Sequence, residues 1–277
     1  MKTKIWALMM LLSGFGAWVW TACDKIPENE TRTELPFSLP DWHGKYVVLE
    51  DFTGVRCVNC PAAALVARSI KSLMQDSVIL IELHPEKPAS LTRPHSGDPD
   101  LRSAAAQSYS DYWQVPGLPR GMINRRQAPG QLLTEGTWLG TAVSVFGEEP
   151  VCTVSVTASL ADSTVTAQIQ GEFTQDYAEA GDIHVITMLL EDGFVVKQSI
   201  NGGEDPAFNR NHVLRATFGS EWGAKVLDAK PSSGKEFTLS PSLKLDAAWK
   251  SDELSVVVLV TNADTREILN AAQVHLN

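Results

Sequence analysis

The chain has 277 residues of ordinary globular composition, 44% of them hydrophobic, which permits one large domain or two of common size. Its formal net charge is −10, and no basic cluster interrupts that acidity. Such a surface repels phosphate backbones, which excludes nucleic acid as a partner.

Lys2 and Lys4 precede an uncharged stretch from Ile5 to Trp20, and "WTAC" follows, the layout of a secretory signal over residues 1–22. The apolar stretch is shorter than the about 20 residues a spanning helix needs, so cleavage is expected rather than a retained anchor. Small Thr21 and Ala22 before Cys23 resemble the lipobox of bacterial lipoproteins. Lipidation of Cys23 is therefore expected, with ordinary signal-peptidase cleavage as the alternative. Residues 23–34, rich in acids and small polar residues, read as a lipidated start and tether.

"KYVVLEDF" is a continuous apolar and β-branched run, a strand buried on both faces. "PAAALVARSIKSLMQ" changes period and reads as an amphipathic helix, with Ala62, Leu65, Val66, Ser69, Ile70, Leu73 and Met74 on its apolar face. "SVILIELH" restores a strand, so this part is a parallel strand–helix–strand unit. A proline-rich polar loop leads into a helix in "DPDLRSAAAQSYSDYW", with Asp98 or Asp100 as N-cap. "GLPRGMINR" and "GQLL", separated by "QAPG", read as a hairpin, and "TEGTWLGTAVSVFGEE" as a helix capped by Thr134.

Beyond Glu149 the period becomes two. "VCTVSVTAS", "STVTAQIQGEF", "IHVITMLLED", "FVVKQS", "HVLRATF", "KEFTLSP", "LSVVVLVTN" and "AAQVHL" are separated by Gly, Asp, Asn, Ser or Pro clusters, the pattern of an antiparallel sandwich. Cys152, Val154, Val156 and Ala158 share one strand face, which makes Cys152 a small core residue. "FNRNHVLR", with Asn209, Asn211, His212 and Arg215, reads as a turn entering a strand, and Trp222 and Trp249 as packing residues.

Of four cysteines, Cys57 and Cys60 stand where a buried strand hands over to a helix. Unpartnered N–H groups and the positive end of the dipole favour thiolate there. The second sulfur, three residues on, returns beside the first across the opening turn, close enough to resolve a mixed disulfide. Pro61 is tolerated because N–H groups of a first turn lack helical partners. Two other readings stay open. A metal site would need two further ligands, but there is no second CxxC, and His84, His95 and His212 lack ligand spacing. A structural staple closing so small a ring would remove only about 2 kcal/mol of unfolded-state entropy.

"VVLEDFTGVRCVNC" followed by a helix, then "VPGLPRGMINR", resembles the thioredoxin superfamily over about residues 35–149. The resemblance implies that Cys57 attacks and Cys60 resolves. It makes Asp51 the buried carboxylate that moves a proton at the resolving sulfur, and Pro119 a cis-proline beside the disulfide. Leu118 would then offer backbone hydrogen bonds to a substrate peptide, with Arg120 in range of the sulfurs. Arg56, just before Cys57, would add positive charge that stabilises thiolate. A narrower likeness rests on the lipobox-like start, "EDFTGVRCVNCP", "GLPRGMINR", "NRNHVLRATFGSEWG" and "LSVVVLVTN". These are similar to an outer-membrane lipoprotein family named after a twenty-eight-kilodalton outer-membrane protein.

The resulting expectation is an α/β thioredoxin-like domain at 35–149 followed by an all-β, immunoglobulin-like sandwich at 150–277. The protein would be anchored to the outer membrane by its N-terminal lipid and would exchange disulfides with protein thiols or disulfides. No organic cofactor is implied, because the electrons reside in the dithiol. The rival is a surface binding or scaffold lipoprotein in which Cys57–Cys60 is a structural disulfide.

Overall fold

A computed structural model describes residues 38–276. The expected signal segment, the tether and Cys23 lie outside the described residues. Strands β1 (Val47–Phe52) and β2 (Val78–Leu83) pair in parallel from Val47↔Val78 to Phe52↔Leu83, and helix α1 (Cys60–Met74) is the crossover between them. Parallel neighbours require such a connection, because a tight turn can join only antiparallel strands. A short helical turn α2 (Ala89–Thr92) and helix α3 (Ala104–Tyr112) lead to β3 (Arg120–Ile123), antiparallel on the other edge of β1, and then to α4 (Glu135–Phe146).

Helices α1 and α4 cover one face of β1 and β2, where Ala67, Ile70, Trp138 and Val145 bury Val47, Leu49 and Leu80. The apolar face of α1 differs from the expected one. Leu65 and Leu73 are 60% and 44% exposed, and the buried stripe is Cys60, Ala63, Ala64, Ala67, Ile70 and Met74. Small side chains let the helix close onto a sheet face already filled by bulky residues, so alanines face inward and leucines outward. The cap of α3 also differs. Ser103 Oγ accepts from Ala106 N at 3.3 Å, while the expected Asp100 is engaged by Arg102 at 2.6 Å. Thr134 occupies the N-cap position of α4, but its side chain makes no capping bond. The hairpin expected after β3 contracts to a single bridge, Gly121↔Leu133.

The second half supplies β4 (Cys152–Ala161), β5 (Thr164–Phe173), β6 (Ile183–Glu191), β7 (Phe194–Ile200), β8 (Gly203–Arg210), β9 (Val213–Thr217), β10 (Ala224–Leu227), β11 (Glu236–Leu239), β12 (Ser242–Lys244), β13 (Leu254–Asn262) and β14 (Ile268–His275). Strands β8, β10 and β12 had no clear sequence signal: β8 contains Gly203, Asp205 and Pro206, and the other two are short. Strands β4, β5, β11 and β12 form one sheet, whose Cys152, Val165 and Ile169 pack against Leu189, Val256 and Val258 of the main sheet. Cys152 is buried and free, and burial pushes its thiol up to about 12.

The main sheet does not stop where the all-β half begins. Its order is β14-β13-β6-β9-β2-β1-β3, with β10 on β6, so strands from both halves lie side by side. The seam is a parallel contact, Glu82↔Val213, with Glu82 N donating to His212 O at 2.8 Å. Phe52, Ile81 and Tyr109 from the α/β half share one core with Ile186, Met188 and Leu259 from the all-β half. Leu39–Asn277 is accordingly one compact unit. The two expected segments are halves of a shared sheet, not beads on a linker.

Inside that core lies an ion pair. Arg125 donates to Glu50 at 2.8 and 2.6 Å, both side chains are fully buried, and the guanidinium stacks over Tyr109 and Trp113. Breaking such a pair strands a charge, whereas replacing both partners removes the desolvation cost as well. Arg125→Met should therefore lower unfolding free energy by about 3–5 kcal/mol, and adding Glu50→Met should recover most of the loss. Denaturant unfolding of both variants checks this.

Candidate functional site

After Phe52 the chain turns through Thr53 to Asn59 into α1, and Cys57 and Cys60 close a disulfide at that turn with their Cα atoms 5.4 Å apart. Cys57 N donates to Gly54 O at 3.1 Å and Cys60 N to Cys57 O at 3.2 Å, which fixes the loop before the helix begins. Cys60 is the first residue of α1 and Pro61 follows within its first turn. Cys57 keeps 3% of its surface and Cys60 none, while Val58 between them is 50% exposed.

The Leu118–Pro119 bond is cis. Strand β3 pairs with β1 so that Arg120 lies opposite Phe52, which puts Leu118 and Pro119 at the same end of the sheet as the disulfide turn. Pro119 is buried and Leu118 half-buried. Arg120 donates from Nη1 to its neighbour's carbonyl, Pro119 O, at 2.8 Å. Arg56 directs its guanidinium at Arg93 O and Pro94 O, both at 3.0 Å. It fastens the loop that follows β2.

That loop and the β7–β8 hairpin form a roof over the turn. Gly54 lies so close to Leu91 O that a Cβ there would collide with it. From the hairpin, Ser199 N donates to Val55 O at 2.8 Å, and the fully buried Gln198 donates from Nε2 to Cys57 O at 2.9 Å and Gly54 O at 3.3 Å. Lys197 N bonds Asp98 and His95 meets Glu204 at 3.1 Å, which ties the two parts of the roof together. Sequence reasoning missed Gln198, although a signal existed: in "FVVKQSI" it shares the strand face of Phe194 and Val196, both buried.

Asp51 stands beside Glu82 as its register partner on β2. Both carboxyl oxygens of Asp51 are buried without a hydrogen-bond partner. Burial first, and the neighbouring Glu82 charge second, push its carboxyl well above the usual range, with Arg210 only partly opposing them. Burial also acts to raise Glu82, but Arg210 and the hydrogen bond from His84 outweigh it and hold that carboxyl low. Arg210 Nη1 reaches Glu82 at 3.3 Å and Thr53 Oγ1 at 3.2 Å, and its Nη2 bonds Gln198. A cavity of about 30 Å³ beside the carboxyls, lined also by Arg68 and His212, has room for a water. Cys152 belongs instead to the core between the two sheets.

The profile of the family described as "Outer membrane protein Omp28" matches residues 106–277, more than half of the chain. The chain belongs to the Omp28 family. The residues of this Omp28-family protein that match begin after the disulfide turn, so membership alone says nothing of Cys57–Cys60. Among solved structures, HBP35 of Porphyromonas gingivalis is 18% identical, covers 86% of this chain and 76% of its own, and has a TM-score of 0.66, a likeness of fold. A domain of the outer membrane lipoprotein Omp28 from Porphyromonas gingivalis is 17% identical over 46% of this chain and 89% of its own, with a TM-score of 0.34. No curated protein gives a significant match. Membership places the protein among outer-membrane proteins, and among the described residues no helix is long and apolar enough to cross a membrane.

The raised Asp51 carboxyl links stability to pH. The folded state holds this proton more tightly than the unfolded one. Its contribution is therefore full below the unfolded value of about 3.9 and is lost as pH rises through the folded value. Asp51→Asn should flatten this decline, so that the variant gains stability relative to the native protein as pH rises above about 4. Denaturant midpoints measured across a pH series test the sign.

Proposed function

We propose that this Omp28-family protein is a lipid-anchored outer-membrane protein whose α/β half is thioredoxin-like and exchanges disulfides with extracytoplasmic proteins. The observation that carries the reading is the disulfide at the head of α1; both cysteines are buried, Cys57 at 3% and Cys60 at 0% exposure, so attack on Cys57 requires the turn to open. A partner thiolate would attack Cys57 Sγ, forming a mixed disulfide and breaking the Cys57–Cys60 bond. Cys60 would leave as a thiolate at the N-terminus of α1, where the positive end of the helix dipole stabilises negative charge, and take the proton held by Asp51. A second partner thiolate then attacks the partner sulfur, and Cys57 leaves. Two partner thiols are oxidised to a disulfide, and the protein's disulfide is reduced to a dithiol carrying two electrons and two protons. Leu118 and Pro119 would hold the partner chain, with Arg120 beside them.

The tight roof favours a second reading, in which the disulfide is a structural staple and the protein is a surface binding or scaffold lipoprotein whose all-β half, an immunoglobulin-like sandwich, makes the contacts. Exchange requires approach on the Val58 side, where the turn is open. A Cys60→Ser variant in the anchored protein separates the two. Exchange traps mixed disulfides through Cys57, seen as reductant-sensitive adducts absent from Cys57→Ser. A folded, membrane-bound Cys60→Ser protein with no adduct supports the staple. The anchor has its own test: Cys23→Ala should abolish fatty-acid labelling and shift the protein from membrane to soluble fractions.

A further inference from the structure

Asp51 and Glu82 are adjacent buried carboxyls that the fold treats unequally. Glu82 receives Arg210 Nη1 at 3.3 Å and His84 Nε2 at 3.2 Å, whereas Asp51 has no partner. The other charged or titratable groups facing the pair are Arg68 from α1, His212 from the turn before β9 and Glu135 at the start of α4. None of these three hydrogen-bonds to either carboxyl. Two carboxylates sharing one buried place cannot both ionise cheaply, so the one that holds the cation ionises and the other keeps its proton. The cation is delivered from β8, in the all-β half, and Thr53 and Gln198 fix its direction.

We propose that Glu82 is a positioning residue of the dithiol centre: by engaging Arg210 it leaves Asp51 without a hydrogen-bonded cation and so reserves Asp51 as the proton donor to the departing Cys60. This rests on the exchange reading. The water-sized cavity is lined by Asp51 and Glu82, but the Asp51 carboxyl oxygens are themselves sealed, so re-protonation from solvent requires local opening. The ionisation directions agree with the geometry, Asp51 being raised and Glu82 lowered.

The test uses the whole protein and dithiothreitol as a small dithiol that is oxidised as Cys57–Cys60 is reduced. The reduction rate is followed against pH in the native protein, Asp51→Asn and Glu82→Gln. Asp51→Asn should remove one limb of the profile. Glu82→Gln should move that limb to lower pH by about one unit or more, because the neighbouring charge is gone and Arg210 is free to meet Asp51. A limb that depends on Asp51 but does not move in Glu82→Gln overturns the inference and leaves exchange standing. A native disulfide that dithiothreitol does not reduce at any pH removes the exchange reading and the inference with it. Should Glu82→Gln fail to fold, carboxyl carbon NMR titration of the native protein decides: Asp51 ionised at neutral pH overturns the proposal.

Discussion

A buried guanidinium that must be neutralised ties this molecule together. Arg210 is fully buried at the end of β8 and bonds to Thr53 in the disulfide turn, Glu82 on β2 and Gln198 on β7. Removing a charge from water costs several kcal/mol, which only good geometry on several partners offsets. Because these partners come from both halves of the chain, satisfying Arg210 docks the β7–β8 hairpin on the turn and holds β9 beside β2. The short Glu82↔Val213 contact would be a weak seam without it. The roof over the disulfide and the seam of the main sheet thus share one electrostatic tie, beside the hairpin's backbone bonds and the common apolar core.

Local periodicity revealed most of the elements but not their assembly. The runs that became β1, β2, β6 and β13 are apolar enough to be buried on both faces, and the two-residue alternation of β4 and β5 showed which side met the core. The joining of β2 to β9 was not legible, since no local pattern records which strand edge a distant segment will meet. Nor was the facing of α1. Hydrophobicity alone pointed to Leu65 and Leu73, but close packing of a helix on a full sheet selects for small volume, and the alanines went inward.

The same division holds at the site. The closeness of Cys57 and Cys60 was legible from the strand–turn–helix unit, whereas Asp51 and Leu118–Pro119 were singled out only by the thioredoxin resemblance; β3 pairing with β1 puts Leu118–Pro119 at the end of the sheet that bears the disulfide turn. Glu82 was readable only as an apolar strand's odd charge, and Arg210 as part of a turn. What gives them meaning is register, Asp51↔Glu82, together with a hairpin more than a hundred residues away in sequence. Arg56 shows a further role that adjacency to Cys57 did not reveal: it bonds the carbonyls of Arg93 and Pro94 and so fastens the loop over the turn.

Enclosure and reactivity ordinarily oppose one another, and the molecule holds an internal comparison. Cys152 and Cys60 are both fully buried. Cys152 lies on a strand whose backbone groups are engaged in the ladder with β5, and burial, only partly opposed by the Lys45 charge, pushes its thiol to about 12. Cys60 opens α1, where Cys60 N and Ala62 N already bond Cys57 O and Asn59 O but the helix dipole is positive. Equal burial therefore leaves unequal chemistry. A sulfur leaving as an anion at Cys60 meets fixed dipoles in place of water, which the strand position cannot offer. The roof that excludes solvent also strengthens those dipoles, since electrostatic interactions grow as the local dielectric falls. On this argument the enclosure of the turn, which would suit a staple, is equally what an exchange centre needs around its resolving sulfur, provided the Val58 side stays open to a partner.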